Sequence, residues 1–249
     1  VNLLELRPEE RVVAFLTISD FERSEDYLFF ATSSGRVKRT SLKDFRNVNR
    51  AGIIAVGLNE GDRLIDVVYT TGENHVLLAT SGGMAIRFDE NDARVMGRGA
   101  AGVKGIDLAG DDEVIGLVRV EPDTDLLTVT EHGYGKRTPI DEYLVQSEAG
   151  ARPQSRGGKG RLDIRTTDRN GKAVTVLSVG EDDGVMLVSE QGMIVRIGAG
   201  TVRRTGRATQ GVRVVNLKAG DRLMAAARVA ESGDEASDGS EVPGDAADA

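Results

Sequence analysis

One pattern returns four times along this chain and limits its fold more than any other feature. It is an apolar run, a polar turn ending in Gly, and an Arg four residues after that Gly. The first copy reads Phe29-Phe30-Ala31-Thr32-Ser33-Ser34-Gly35-Arg36-Val37-Lys38-Arg39, and the second Leu77-Leu78-Ala79-Thr80-Ser81-Gly82-Gly83-Met84-Ala85-Ile86-Arg87. The third is Leu127-Thr128-Val129-Thr130-Glu131-His132-Gly133-Tyr134-Gly135-Lys136-Arg137, and the fourth Met186-Leu187-Val188-Ser189-Glu190-Gln191-Gly192-Met193-Ile194-Val195-Arg196. The anchor glycines Gly35, Gly83, Gly133 and Gly192 are spaced by 48, 50 and 59 residues. A second anchor keeps step: Gly61-Asp62, Gly110-Asp111, Gly171-Lys172 and Gly220-Asp221 each precede another apolar run. At the front, Glu9-Glu10-Arg11-Val12-Val13-Ala14-Phe15-Leu16 matches this second half alone. The chain therefore reads as four full units and the rear of a fifth, a piece of a longer protein that begins within a strand.

Each unit holds short Val/Ile/Leu/Thr runs punctuated by Gly, Asn and Asp, which predicts four short antiparallel strands per unit. The Gly of the first turn suits a hairpin position with positive φ. Helical periodicity is weak; residues 41–47 and 90–95 are each expected to form one turn at most. Four-stranded sheets repeated radially give an all-β, propeller-like disc. The Trp-Asp signature of one common propeller class is absent, since the chain has no Trp. No Cys is present, which excludes thiolate metal sites and a Cys nucleophile, and two His leave little room for zinc or a His-dependent triad. No apolar stretch is long enough to span a membrane as a helix.

The net charge of −8 misleads until it is divided. Residues 231–249 carry seven acids and no base, so of the 40 acids 33 remain against 32 Lys and Arg in residues 1–230. The tail is Asp/Glu/Ala/Gly/Ser, too poor in apolar residues to order itself. Within the body, charge alternates with the repeat. Residues 152–169 hold six bases and two acids, and residues 192–220 six bases and no acid, whereas residues 105–131 hold eight acids and one base. A radial repeat would gather the basic segments into one band, suited to a nucleic-acid backbone whose counterions are released by each Lys or Arg. Aromatics are only 4%, which disfavours stacking on single strands. Simple solubility patterning accounts for phased charge equally well.

Unit three carries an insertion, Gln154-Ser155-Arg156-Gly157-Gly158-Lys159-Gly160. Its glycines let backbone approach closely, with Arg156 and Lys159 placed to hold phosphates. It lacks the spacing and the Lys-Ser/Thr end of a nucleotide-binding P-loop. Similar, more degenerate loops lie at residues 98–102 and 207–211.

With these units, the stretches Phe30-Ala31-Thr32, Gly133-Tyr134-Gly135-Lys136-Arg137-Thr138 and Gly206-Arg207-Ala208-Thr209-Gln210-Gly211-Val212 resemble the C-terminal domains of the DNA gyrase A proteins. The resemblance implies a β-pinwheel whose blades exchange strands, six-bladed in that family and about four and a half blades here, over residues 1–230, with a disordered acidic tail at 231–249 that modulates DNA binding. It implies wrapping of double-stranded DNA, with little sequence preference, around a basic rim. The wrapping serves an ATP-driven DNA topoisomerase of the bacterial cytoplasm and nucleoid, which introduces negative supercoils. In that enzyme the partners are the gyrase B protein and the rest of the gyrase A protein, joined as an A2B2 assembly. The family's box reads Gln-Arg-Arg-Gly-Gly-Lys-Gly and lies in its first blade. The copy here has Ser155 at the second position and sits in a late unit, so the box proper is expected upstream of Val1.

The catalytic Tyr and the ATP and Mg2+ sites of such an enzyme lie elsewhere, so this chain is expected to be non-catalytic and free of metal and cofactor. Tyr27, Tyr69, Tyr134 and Tyr143 are read as packing residues. The candidate DNA contacts are Arg36, Lys38, Arg39, Arg50, Arg87, Arg98, Lys136, Arg137, Arg156, Lys159, Arg161, Arg196, Arg203, Arg204 and Arg207. Two rival readings are the corresponding domain of topoisomerase IV and a β-propeller scaffold that binds protein through a disc face.

Overall fold

A computed structural model describes residues 10–21, 23, 25–49 and 52–229. The four repeats become four antiparallel blades in chain order. The first is built, from the inside outward, of Leu64–Thr70, Tyr27–Thr32, Arg36–Ser41 and Val103–Lys104. The second runs Val114–Arg119, His75–Thr80, Met84–Asp89, Arg161–Leu162, and the third Ala173–Val179, Asp125–Thr130, Tyr134–Pro139, Val212–Arg213. The fourth has three strands, Leu223–Val229, Gly184–Ser189 and Ile194–Gly198. A small hairpin, Val145–Ser147 with Gly150–Arg152, stands apart. The arrangement is the all-β, propeller-like one expected from the repeat, in the pinwheel form that the resemblance implies.

The two anchors keep step because one caps the other. Asp62 accepts from Ser33 Oγ at 2.9 Å and Ser34 N at 3.0 Å, the hairpin turn of its own blade. Asp112 does the same for Ser81 Oγ and Gly82 N at 2.8 and 2.7 Å, and Asp221 for Gln191 N at 3.1 Å. The anchor glycines that close these hairpins have φ of 78°, 87°, 76° and 82°.

The outermost strand of each complete blade comes from the following repeat. Strands of two residues, such as Arg161–Leu162 on Met84–Asp89, cross onto the preceding blade and lock it. The crossing needs glycine. A Cβ on Gly160 would stand 2.5 Å from Ala85 O, and one on Gly211 2.6 Å from Gly135 O; Gly102 faces Val37 O in the same way. Their φ values are 75°, 74° and 82°, which other residues adopt only with strain.

Strand alternation sends successive residues to opposite faces, so each blade packs on both neighbours. Leu78 joins Phe29, Ala31 and Val37 of the first blade, whereas its neighbour Leu77 joins Leu126, Tyr143 and Val176 of the third. The helical turns expected at 41–47 and 90–95 are single 3-10 turns, Leu42–Phe45 and Glu90–Asp92. Two more, Ile140–Tyr143 and Ala199–Thr201, occupy the same place in units three and four and carry no comparable sequence signal.

The front segment departs from its expected role. Residues 10–21 match the rear of a unit but form no strand. Instead Ile18 and Phe21 lie over Leu28, Phe30, Leu42 and Phe45. The strand expected at Val1 and the acidic tail at 231–249 lie outside the described residues.

Candidate nucleic-acid interface

The recurrent Arg four residues past the first three anchor glycines proves to be a joint between blades. Arg39 donates from Nη1 to Asn91 Oδ1 at 2.6 Å and stands 3.6 Å from the buried Glu90 carboxylate, both on the turn of the next unit. Arg87 donates to Ile140 O at 3.0 Å and Asp141 Oδ1 at 2.9 Å, again one unit on, and also meets His75 Nδ1 at 3.2 Å. Arg137 binds Glu181 at 2.9 Å, Val202 O at 2.9 Å and its own blade's Asp125 at 3.3 Å. The guanidinium fork suits such multiple acceptors. These three are buried, as are Lys38 and Lys136. All five were expected on the DNA-facing rim, and that assignment is corrected: side chains enclosed and bonded within the protein do not reach a phosphate.

The two buried lysines are satisfied differently. Lys136 Nζ lies 2.9 Å from Asp163, which also accepts from Tyr143 and Thr128. Unit one has Ala55 at the matching position, three residues after Gly52 as Asp163 is after Gly160. Lys38 Nζ therefore relies on carbonyls: Ala55 O at 2.5 Å, Gly97 O at 3.5 Å and Arg98 O. Loss of hydration lowers the Lys38 pKa from 10.5 to about 8; the Arg98 charge adds to this and Asp44 opposes it. Below pH 8 the folded state carries the full penalty of a buried charge. Between 8 and 10.5 the unfolded chain binds the extra proton, so stability from this group rises with pH. Thermal unfolding of the native chain and Lys38→Met across that window is expected to show a shallower rise in the variant. Parallel curves would exclude a depressed Lys38.

The remaining candidates divide by exposure. Arg36, Arg98, Arg156, Arg161 and Arg207 are half-buried, whereas Lys159, Arg196, Arg203 and Arg204 are exposed; Arg50 lies outside the described residues. Arg36 holds Ala101 O at 3.1 Å and Gly102 O at 2.5 Å on the crossing segment, and Arg204 pairs with Asp125 at 3.0 Å. Arg196 keeps the register of the joint arginines on the fourth blade, opposite Met186, but its side chain is exposed rather than enclosed.

The crossing segments themselves segregate charge. Residues 94–104 carry three bases, 152–161 four and 203–213 four, and none carries an acid. All three run along the outer edges of the blades. The inner ends are mixed instead: Asp62, Asp111, Glu113, Glu131 and Glu190 line an open cavity of about 1000 Å3 together with Arg11, Arg63, Lys172 and Arg222. Arg94, Arg165, Arg169 and Arg213, absent from the candidate set, are exposed on or beside this outer path. They keep no common register, so a search for repetition passes over them. Among the described residues no helix is long and apolar enough to cross a membrane, and no cluster of three His, Asp or Glu is placed to hold a metal.

Four blades joined by exchanged strands agree with the sequence family described as DNA gyrase C-terminal domain, beta-propeller, which matches residues 26–71, 74–121, 124–151, 151–180 and 183–230. The chain belongs to this family. The DNA gyrase A protein of Salmonella typhimurium (strain LT2) is 41% identical over 98% of the chain, and that of Haloquadratum walsbyi 44% identical over 90%. The chain spans 27% and 26% of those proteins. A solved gyrase A C-terminal domain superposes with a TM-score of 0.78 at 28% identity, covering 91% of this chain and 73% of its own. The C-terminal domain of a DNA topoisomerase IV gives 0.82 at 26%, covering 92% and 69%.

Within this gyrase-type pinwheel, the loop Gln154–Gly160 is a staple. Gln154 N donates to Arg87 O at 2.9 Å, and Gly157 N to Gly105 O at 2.6 Å. Arg156 donates to Asp92 O and Lys104 O, both at 2.8 Å. The loop thus ties unit three to the unit before it. Ser155 and Lys159 are exposed, and Gly158 O accepts from Asp107 N at 2.9 Å. Two donors of Arg156 are committed to backbone, which leaves Lys159 as the loop's outward charge.

Proposed function

We propose that this chain binds duplex DNA along the outer edges of its blades and bends it around them. The observation that carries this reading is the set of three acid-free crossing segments with eleven bases between them. Such a path neutralises phosphates without reading bases, and the cost of bending is offset by contacts repeated from blade to blade. In the intact enzyme the bent DNA would be presented to a strand-passing core that uses ATP and Mg2+. That enzyme would be an A2B2 assembly with the gyrase B protein, within the bacterial cytoplasm and nucleoid. This chain would supply no catalytic group, metal or cofactor.

A protein-binding scaffold fits less well. The exposed large apolar residues are scattered among the front segment (Val12, Val13, Phe15), the first unit (Val48, Ile54, Leu58) and the fourth blade (Ile194, Met224).

Duplex affinity measured against salt tests the reading. With six or more phosphates engaged, binding should weaken by about 10^3-fold or more between roughly 50 and 200 mM salt. A flat response would overturn it. A plasmid assay with the parent enzyme separates the two topoisomerase roles: gyrase-type wrapping yields negative supercoils, whereas the topoisomerase IV role yields relaxation and decatenation alone.

A further inference from the structure

Among the described residues, Tyr134 is the phenol that holds two arginines. It opens the third strand of blade three, where the matching positions of the other units have Arg36, Met84 and Met193. Its Oη accepts from Arg213 Nη2 at 2.9 Å and from Arg169 Nε at 3.3 Å. Both guanidinium carbons lie 5.1 Å from the centre of its ring. The phenol is buried, and both arginines are exposed.

We infer that Arg169, Tyr134 and Arg213 form a clamp for one backbone phosphate of duplex DNA on the outer edge of blade three. The inference rests on the DNA-binding reading above and adds a site to it. Two like charges drawn to one oxygen repel each other, and among the described residues no carboxylate relieves them: neither arginine makes an ion pair. Each guanidinium has five N–H donors and gives one to the phenol, which leaves donors for a second, anionic acceptor.

The position is fixed from both sides. Arg213 faces Tyr134 across the exchanged outer strand. Arg169 sits in a loop tied down by Asn170, whose Nδ2 donates to Arg165 O and Gln210 O, both at 3.0 Å. A preorganised pair loses little freedom on binding. The two guanidinium hydrogen bonds also lower the Tyr134 pKa, the mark of a locally positive field.

The double variant Arg169→Gln/Arg213→Gln, in the full chain, tests the clamp against duplex DNA. Both side chains are exposed, so the variant should stay folded, and its unfolding temperature reads the cost of the two hydrogen bonds that Tyr134 Oη loses. The salt dependence of log K should become shallower by about one unit, with several-fold weaker binding at low salt. A second measurement needs no variant that weakens binding. Tyrosinate absorbance is titrated in free and DNA-bound protein, with Tyr134→Phe used to assign the signal. A phosphate competing for the guanidinium donors should move Tyr134 ionisation to higher pH in the complex. A folded double variant with the native salt slope, or an unmoved Tyr134 titration in bound protein, overturns the clamp while leaving DNA binding intact. A native chain whose binding ignores salt overturns both.

Discussion

Replacing Asp163 with Ala is expected to lower the unfolding free energy by about 3–5 kcal/mol, because it leaves a buried ammonium without its counter-charge, held only by Thr138 Oγ1 and Gly206 O. Lys136 and Asp163 are both almost wholly enclosed and stand 2.9 Å apart. Asp163 also accepts from Tyr143 Oη at 2.5 Å and Thr128 Oγ1 at 2.7 Å, so three polar side chains lose their shared centre. Desolvation already lowers the Lys136 pKa, and the Asp163 charge is the chief opposing influence, so its loss should lower that pKa further. The double variant Asp163→Ala/Lys136→Met should regain much of the loss, since a buried pair is costlier to break than to replace with apolar groups. Urea unfolding of the single and double variants reads both effects. A loss below about 1 kcal/mol for Asp163→Ala, the range of an exposed pair, would contradict a sealed network.

The repeat makes the blades legible in the sequence. Anchor glycines, paired apolar runs and the Asp of the second anchor all mark positions where backbone geometry permits few residue types. The exchange of outer strands follows from the family resemblance and not from any pattern in the residues. Val103–Lys104, Arg161–Leu162 and Val212–Arg213 are two residues each, too short for an alternating pattern, and only their preceding glycines betray the close crossing. The basic rim was legible as a charge count but not residue by residue. Strict recurrence of Arg39, Arg87 and Arg137 looked like a row of ligand contacts, yet a residue repeated in one register of every blade also marks what each blade needs to hold the next. The outward charges, such as Lys159, Arg203 and Arg213, follow the irregular crossing segments, where no fold constraint fixes their spacing. The acidic residues at the joints, Glu90, Asp141 and Glu181, have partners about 40–55 residues away, so no local pattern marks them.

That distinction gives the second large effect. Arg137→Ala is expected to cost about 3 kcal/mol of stability and to leave the salt slope of duplex binding unchanged. The change removes the donor to Val202 O and Gly200 O, and it strips the buried Asp125 of one of its two arginine partners. It also frees Glu181, whose pKa is held down by Arg137, from the joint with blade four. Arg203→Ala is the counterpart on the same outer edge. Its backbone carbonyl accepts from Arg137 N at 3.1 Å, a bond that the substitution retains, and its side chain is exposed. Stability should therefore change by less than about 0.5 kcal/mol, while the salt slope falls by about one unit. Thermal unfolding and salt-dependent duplex binding on the two variants, side by side, separate a blade joint from a phosphate contact. If Arg137→Ala instead kept its stability and flattened the slope, the register that builds the pinwheel would also be the one that grips DNA, and the division drawn between them would fail.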